Sequence, residues 1–414
     1  MPDEDISEQP QLLDRKGAVI HGLTAYLLHL RLNGRSIETV KMYARILLDF
    51  LRTLADAHGG VGLPWQEVGD NVLAVWKTHL LGPRLVKNTI TGNRGVKAQT
   101  YNYRLSTILA SFLHAEKNGW ASGLIGDRST GDPYRVSISL EAGSVRHDSH
   151  VTTVRKAAIQ LPTERDFALV DAESGRLRKS RDLQKRDRAI VTLMRKCTLR
   201  RSEVTGLLVS DVPSRRRIKI FEEAVRNGAA PLLQIWVNRA KRGGRRLVPM
   251  PLSLVSELRE HIDRPRAELL RRKGIPPSDW PEEVFLSSKT GGALGPQSIT
   301  NWIKLAAKGA EKRNPNHTGA IPLRSIHPHL DRHSAITDLG IGSLESGKSE
   351  QEALLFLMEA SGISRLDTAS IYLHLGQGLL AAQSEGHRKM ATKWNDSAAV
   401  LLKRERRASK RRRG

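Results

Sequence analysis

A single cysteine, Cys197, stands among 414 residues. That excludes an intramolecular disulfide and fits a reducing compartment. Long apolar runs are also missing, since no segment approaches the roughly 18 uninterrupted apolar residues of a membrane-spanning helix. The opening, MPDEDISEQP, is acidic and lacks the apolar stretch of a secretory signal. A soluble, cytoplasmic protein is the expectation. Tyrosine is scarce where it matters: of six, five lie at or before Tyr134, so Tyr372 is the only phenol in the C-terminal half. Acidic residues are scarce relative to basic ones, 43 against 67, for a net charge of +24.

What is present is a globular, basic chain. With 39% hydrophobic residues it is too apolar for disorder, and its length allows two or three domains. The tail KRERRASKRRR, Lys403 to Arg413, does not account for the charge. Removing its eight basic and one acidic residue leaves 59 against 42, still +17. A basic body implies a polyanionic partner, and nucleic acid fits best because each neutralised phosphate releases counterions. A solvated basic surface is the plain alternative. No basic amphipathic helix stands out, which argues against a membrane surface.

Apolar spacing of three and four marks helices through Leu23, Tyr26, Leu27 and Leu30, then through Val40, Tyr43 and Leu47, with Ser36 as an N-cap between them and Gly59-Gly60 as a stop. Two more helical stretches follow, so residues 16–125 read as a bundle of about four helices behind a frayed 1–15. Residues 126–162 are rich in Ser, Gly and Asp and read as an interdomain linker. Helical spacing returns at RDRAIVTLMRKCTLRRSEVTGL. PLLQIWV and RRLVPMP then read as a hairpin around NRAKRGG, and helices dominate from Leu252.

Four stretches of the second half carry candidate chemistry. In CTLRRSEVTGL, Arg200 and Glu203 lie three apart, so a shared helix face would let the carboxylate orient the guanidinium; most such pairs are ordinary surface ion pairs. In NRAKRGGRR, Lys241 opens a Gly-rich turn from which it could donate a proton, although most turn lysines face solvent. SIHPHLDRHSAIT holds His327, His329 and His333 around Asp331 and comes within one residue of a zinc pattern. Arg332 beside the histidines repels a metal and welcomes an anion. A second H-x-x-R, His261 to Arg264, runs straight into Pro265, which would interrupt its helix. Last, SGISRLDTASIYLH carries Tyr372.

In this order the stretches resemble the tyrosine site-specific recombinases of the phage-integrase type. That family shows an arginine in a TGxR-x-S-E box, a lysine in a β-hairpin turn, an H-x-x-R box, a His or Trp, and a nucleophilic tyrosine. Here CTLRRSE supplies Arg200 and Glu203, AKRGGRRLVPMP supplies Lys241, HLDRH supplies His329 and Arg332, and SGISRLDTASIYLH supplies Tyr372. NGRSIETVKMY and QTYNYRLSTILASFLHAEKNGW look like the family's core-binding domain. The resemblance covers roughly residues 18 to 385.

The resemblance implies a mainly α fold with a small antiparallel sheet in the catalytic domain, arranged as a two-domain DNA clamp. Residues 16–125 would be the helical core-binding domain, 163–390 the catalytic domain and 391–414 a basic tail, with no separate arm-binding domain. Tyr372 would attack a phosphodiester and form a 3′-phosphotyrosine bond. Arg200 and Arg332 would hold the phosphoryl oxygens, Lys241 would protonate the leaving 5′ oxygen, His329 would assist, and Glu203 would orient its neighbours. No metal, cofactor or ATP is implied. The partners would be double-stranded DNA and further copies of the chain, a tetramer on paired sites or a monomer when free, with a second recombinase as an alternative protomer. The place of work would be the bacterial nucleoid. An inactive DNA-binding regulator and a type IB topoisomerase-like enzyme are the alternatives. The pattern departs from the family at Ile363, which stands in the His/Trp position. Thr198 replaces a glycine, Asp331 replaces a leucine, and GSLESGKSEQ lengthens one gap.

Overall fold

The computed structural model of the chain describes residues 9–57, 63–82, 85–86, 89–90, 95–131, 134–141, 144–153, 159–238, 244–319 and 321–383. The chain divides into two compact units, residues 1–156 and 157–414. The first eight residues, Gly59-Gly60, Lys241 and the basic tail, all singled out above, lie outside the described residues.

The first unit is built on α1 (His21–Leu32), α2 (Ile37–Ala57), α3 (Asp70–Leu81) and α4 (Ala98–Lys117), with a short hairpin of β1 (Leu85–Val86) and β2 (Thr89–Ile90) before α4. Gly34, at φ +75°, turns the chain out of α1, and the Ser36 hydroxyl accepts from the Thr39 N–H at the start of α2. Leu27, Val40, Leu47, Phe50, Leu105 and Phe112 meet in one core, where Phe50 and Trp76 pack edge to face.

The expectation of a linker over 126–162 fails for its first half. β3 (Ile125–Asp127) pairs in parallel with β4 (Val136–Glu141), which pairs antiparallel with β5 (Ser144–Arg146). Ile125, Val136 and Ile138 complete the helical core. Beyond the sheet, the Asn102 amide exchanges two hydrogen bonds with the Val151 backbone, at 2.7 and 2.9 Å. The physical signal is the alternation Val136-Ser137-Ile138, which puts both apolar side chains on one face of a strand.

The second unit contains α5 (Glu164–Arg176), α6 (Arg181–Lys196), α7 (Arg201–Thr205), α8 (Arg215–Arg226), the antiparallel hairpin β6 (Leu232–Val237) and β7 (Arg246–Pro251), α9 (Leu252–His261), α10 (Ala267–Arg272), α11 (Pro296–Arg313), α12 (Pro328–Glu345), α13 (Glu350–Ser361) and α14 (Leu366–Gln383). The fold is mainly α with small sheets, the hairpin being the sheet of this unit. Its inner face (Leu233, Ile235, Val237, Val248 and Met250) packs on α6 and α9. Pro265 does not break the helical path after the second H-x-x-R. It sits in a π-helical turn, Ile262–Arg266, that leads directly into α10. Among the described residues no helix is long and apolar enough to cross a membrane.

Candidate active site

Arg200 is not on a helix face. It stands at the N-cap of α7 in extended conformation, and Glu203 reaches back to it. The Glu203 carboxylate accepts from the Arg200 backbone N–H at 2.8 Å and from its guanidinium at 2.7 Å. This corrects the expected face-sharing pair: the R-x-x-E spacing works as a helix-start clasp. Glu203 is fully buried, accepts from Arg246 at 2.9 Å, and lies 3.8 Å from the Arg332 guanidinium. Burial alone would raise its carboxyl; Arg246 and Arg200 outweigh that and hold it below the usual range.

The arginines are also held by the end of α13. Gly362 takes a left-handed conformation, φ +64°, with its N–H on the Glu359 carbonyl and the Ile363 N–H on Met358. This closure leaves the carbonyls of Ala360, Ser361 and Gly362 pointing away from the helix. They accept from Arg246 at 2.7 Å, from Arg332, and from Arg200 at 2.9 Å, respectively. The negative end of the α13 dipole thus gathers three cations. A side chain at 362 would meet Arg246 Cδ at 3.0 Å, so glycine serves both the turn and the approach.

The same closure accounts for Ile363. It follows the left-handed residue of a helix stop, where an apolar side chain packs back on the last turn, and it is buried in a cluster with Leu357, Ala369 and Leu373. No phosphate donor is supplied from that position. Thr198 explains the family's glycine in turn. Its φ is +54°, a left-handed value that a β-branched residue rarely adopts. The Thr198 hydroxyl donates to the Ala360 carbonyl at 3.0 Å, and its own carbonyl accepts from both Arg246 and Arg332.

Arg332 lies in the first turns of α12, only 4% exposed, beside Thr198, Ser361 and Glu203. Burial, then the neighbouring Arg200, push its guanidinium down to about 9, which leaves it charged at neutral pH. Tyr372, on α14, is 5% exposed with its ring in the apolar cluster around Leu357. Its hydroxyl is not apolar-bound: it makes a 2.6 Å hydrogen bond with His333 Nδ1, and the two rings stack at 5.3 Å. Burial raises the phenol above its ordinary value, while Arg332 and Arg200 pull the other way.

His329 is exposed and touches His333 rather than Tyr372, with ring centroids 4.1 Å apart. Asp331, which the zinc-like pattern made a candidate ligand, points away to the other side of α12. Buried, it accepts from Arg195 at 2.9 and 3.1 Å; Arg195 also forks onto Asp171 and lies over the Phe167 ring at 3.9 Å. Among the described residues no group of three His, Cys, Asp or Glu could hold a metal ion.

Of the sequence-derived set, Arg200 and Arg332 are gathered at Glu203, Tyr372 lies near enough for both arginines to act on its phenol, His329 reaches Tyr372 only through His333, and Lys241 is outside the described residues. Sequence reasoning missed the roles of Arg246 and His333. Arg246 was legible: residues 246, 248 and 250 share one face of β7, and Val248 and Met250 face the core, so Arg246 faces inward with them. Beside the group opens a cavity of about 350 Å³, lined by Arg200, Arg245, Arg246, Ile363 and Arg365 among others.

Comparison with known proteins agrees. Residues 173–377 match the phage integrase family model. Tyrosine recombinase XerD of Mycobacterium leprae (strain TN) is 28% identical over 221 residues, 53% of this chain and 58% of that protein, so the match spans well under two thirds of this relative. The protein of that name from Lacticaseibacillus casei is 28% identical over 253 residues, 60% of this chain and 71% of the relative. Among solved structures, the Tn1549 transposon integrase in complex with a circular intermediate DNA matches with a TM-score of 0.51 at 15% identity, over 85% of this chain and 94% of that one, a likeness of fold. Residues 173–377 thus form a phage integrase family domain, the domain of the tyrosine site-specific recombinases.

Proposed function

We propose that this protein cleaves and rejoins double-stranded DNA through a 3′-phosphotyrosine bond at Tyr372, as a site-specific recombinase, integrase or transposase. The observation that carries the reading is the buried carboxylate of Glu203, which binds Arg200 and Arg246 and stands against Arg332, two of these arginines, Arg200 and Arg332, also acting on the phenol of Tyr372. Attack on a phosphodiester builds charge on the phosphoryl oxygens, and fixed guanidiniums with forked donors match it. The phosphotyrosine stores the energy of the broken linkage, so neither ATP nor metal is required. Arg200 and Arg332 hold the phosphate, Lys241 protonates the departing 5′ oxygen, and Glu203 keeps the cations in register. Arg332 donates to the carbonyls of Thr198 and Ser361, and the Tyr372 hydroxyl is hydrogen-bonded to His333. The scissile phosphate therefore has to draw donors from these partners.

In this reading the first unit, including the sheet of β3 to β5, is the core-binding domain. The working form is a tetramer on paired sites in the cytoplasm at the nucleoid, and the basic tail adds nonspecific phosphate contacts. The test uses the full chain. A binding duplex is selected from a random-sequence pool, a nick is placed next to the candidate cleavage position, and covalent protein–DNA adduct is followed. Adduct formed by the wild type and abolished by Tyr372→Phe supports the proposal. Binding without adduct identifies a regulator, and relaxation of plasmids regardless of sequence identifies a topoisomerase.

A further inference from the structure

We infer that His333 is the base that takes the Tyr372 proton during cleavage, with His329 as the next group toward solvent. This rests on the reading of Tyr372 as nucleophile. It differs from the assignment that the family resemblance suggests, in which His329 does the acid/base work.

The geometry separates the two histidines. His333 Nδ1 is 2.6 Å from the Tyr372 hydroxyl, inside the reach a general base needs, and its ring stacks on the phenol at 5.3 Å with an interplanar angle of 29°. With the imidazole proton on Nε2, the tyrosine O–H donates to Nδ1. His329 meets only the far partner of this pair: its ring centroid is 4.1 Å from that of His333, and His327 follows 6.4 Å further on. The three histidines thus form a ladder at the start of α12, running from the buried phenol through His333 and the exposed His329 to the half-buried His327. One helix carries both Arg332, which holds the phosphate, and its neighbour His333, which holds the nucleophile.

The electrostatics agree with a neutral acceptor. Burial, then His329, His327 and Arg332, push the His333 imidazole down to about 4, so at neutral pH it holds one proton and has a lone pair to offer. It is a weak base, whose hold on a second proton has to strengthen when an anionic phosphate arrives beside it. Burial keeps the phenol protonated, so an acceptor is needed for it to react. The step balances within the groups named. The Tyr372 oxygen bonds to phosphorus as its proton passes to Nδ1, the bond from phosphorus to the 5′ oxygen breaks, and that oxygen takes its proton from the separate acid. Religation runs the same path backward, His333 returning the proton to the phenol.

The test is single-turnover cleavage of the nicked duplex by full-length His333→Gln and His333→Ala. Adduct formation is expected to fall about 100- to 1,000-fold, with DNA affinity kept, and added imidazole should restore part of it in His333→Ala. A substrate with sulfur in place of the bridging 5′ oxygen needs no protonation of its leaving group. It should leave the His333 defect in place while rescuing loss of the proton donor. Wild-type or faster cleavage by His333→Gln, or a defect cured by the sulfur substrate, would overturn the inference. If the wild type itself forms no adduct, the parent reading falls instead, and the two failures are told apart.

Discussion

Two buried carboxylates of the second unit sit near one another in sequence logic and opposite in function. Glu203 is surrounded by Arg200, Arg246 and Arg332, one negative charge among three positive. Asp331, the residue next to Arg332, meets Arg195, which is shared with Asp171, two negative charges around one positive. The first group has cationic surplus and carbonyl partners that a phosphate can replace. The second has no surplus to offer an anion and stacks its cation on Phe167. Cationic surplus marks a site awaiting an anion, whereas a group with two carboxylates to one cation joins α5, α6 and α12 into a scaffold. The carboxyls register the same contrast: Glu203 is held low, while burial raises Asp331 to about 6 against the pull of Arg195.

This contrast can be broken. The largest effect is expected for Glu203→Gln, which leaves three guanidiniums crowded in a buried space. Removing one member of a buried ion cluster costs about 3–5 kcal/mol, so denaturant unfolding should shift strongly and adduct formation should vanish. At the other carboxylate, Asp331→Leu leaves Arg195 with only Asp171 and should cost about 1–3 kcal/mol. Arg195→Leu combined with Asp331→Leu should recover most of that loss, because a packed apolar pair can replace a buried ion pair. A double variant as unstable as the sum of the singles would contradict the scaffold role.

Asp331 also sharpens the comparison through pH. Its folded value lies above the unfolded one, so the native state binds the proton more tightly, and stability falls as pH rises from about 4 to about 6. Asp331→Asn should remove this fall from the stability–pH curve, as measured by urea midpoints. Smallest of all, Thr198→Gly relieves the positive φ but gives up the bond to the Ala360 carbonyl. Strain and hydrogen bond are each worth about 1 kcal/mol, and the melting temperature should barely move.

The contrast also shows what could be read before any coordinates. Helical order, the hairpin and the grouping of Arg200, Glu203 and Arg332 followed from periodicity and from motifs in sequence order, because those signals are local. Three things were not legible. Val136 and Ile138 form a strand within a stretch whose Gly, Ser and Asp punctuation reads as loop. The clasp of Glu203 on Arg200 depends on α7 beginning one residue later, at Arg201, and the same spacing fits a helix face. Ile363 looks like a lost donor until α13 is seen to close through a left-handed Gly362, which makes an apolar residue the fitting one there. Each depends on where an element ends, and ends are set by distant partners rather than by local propensity.

The central claim is that the cations around Glu203 serve the phenol of Tyr372. It is tested most directly by trapping the covalent adduct, digesting with trypsin and sequencing the DNA-bearing peptide by mass. The peptide Leu366–Arg388 holds one tyrosine. DNA on Tyr372 of that peptide is the predicted result; DNA attached elsewhere, or no adduct from a chain that binds its duplex, would contradict the account.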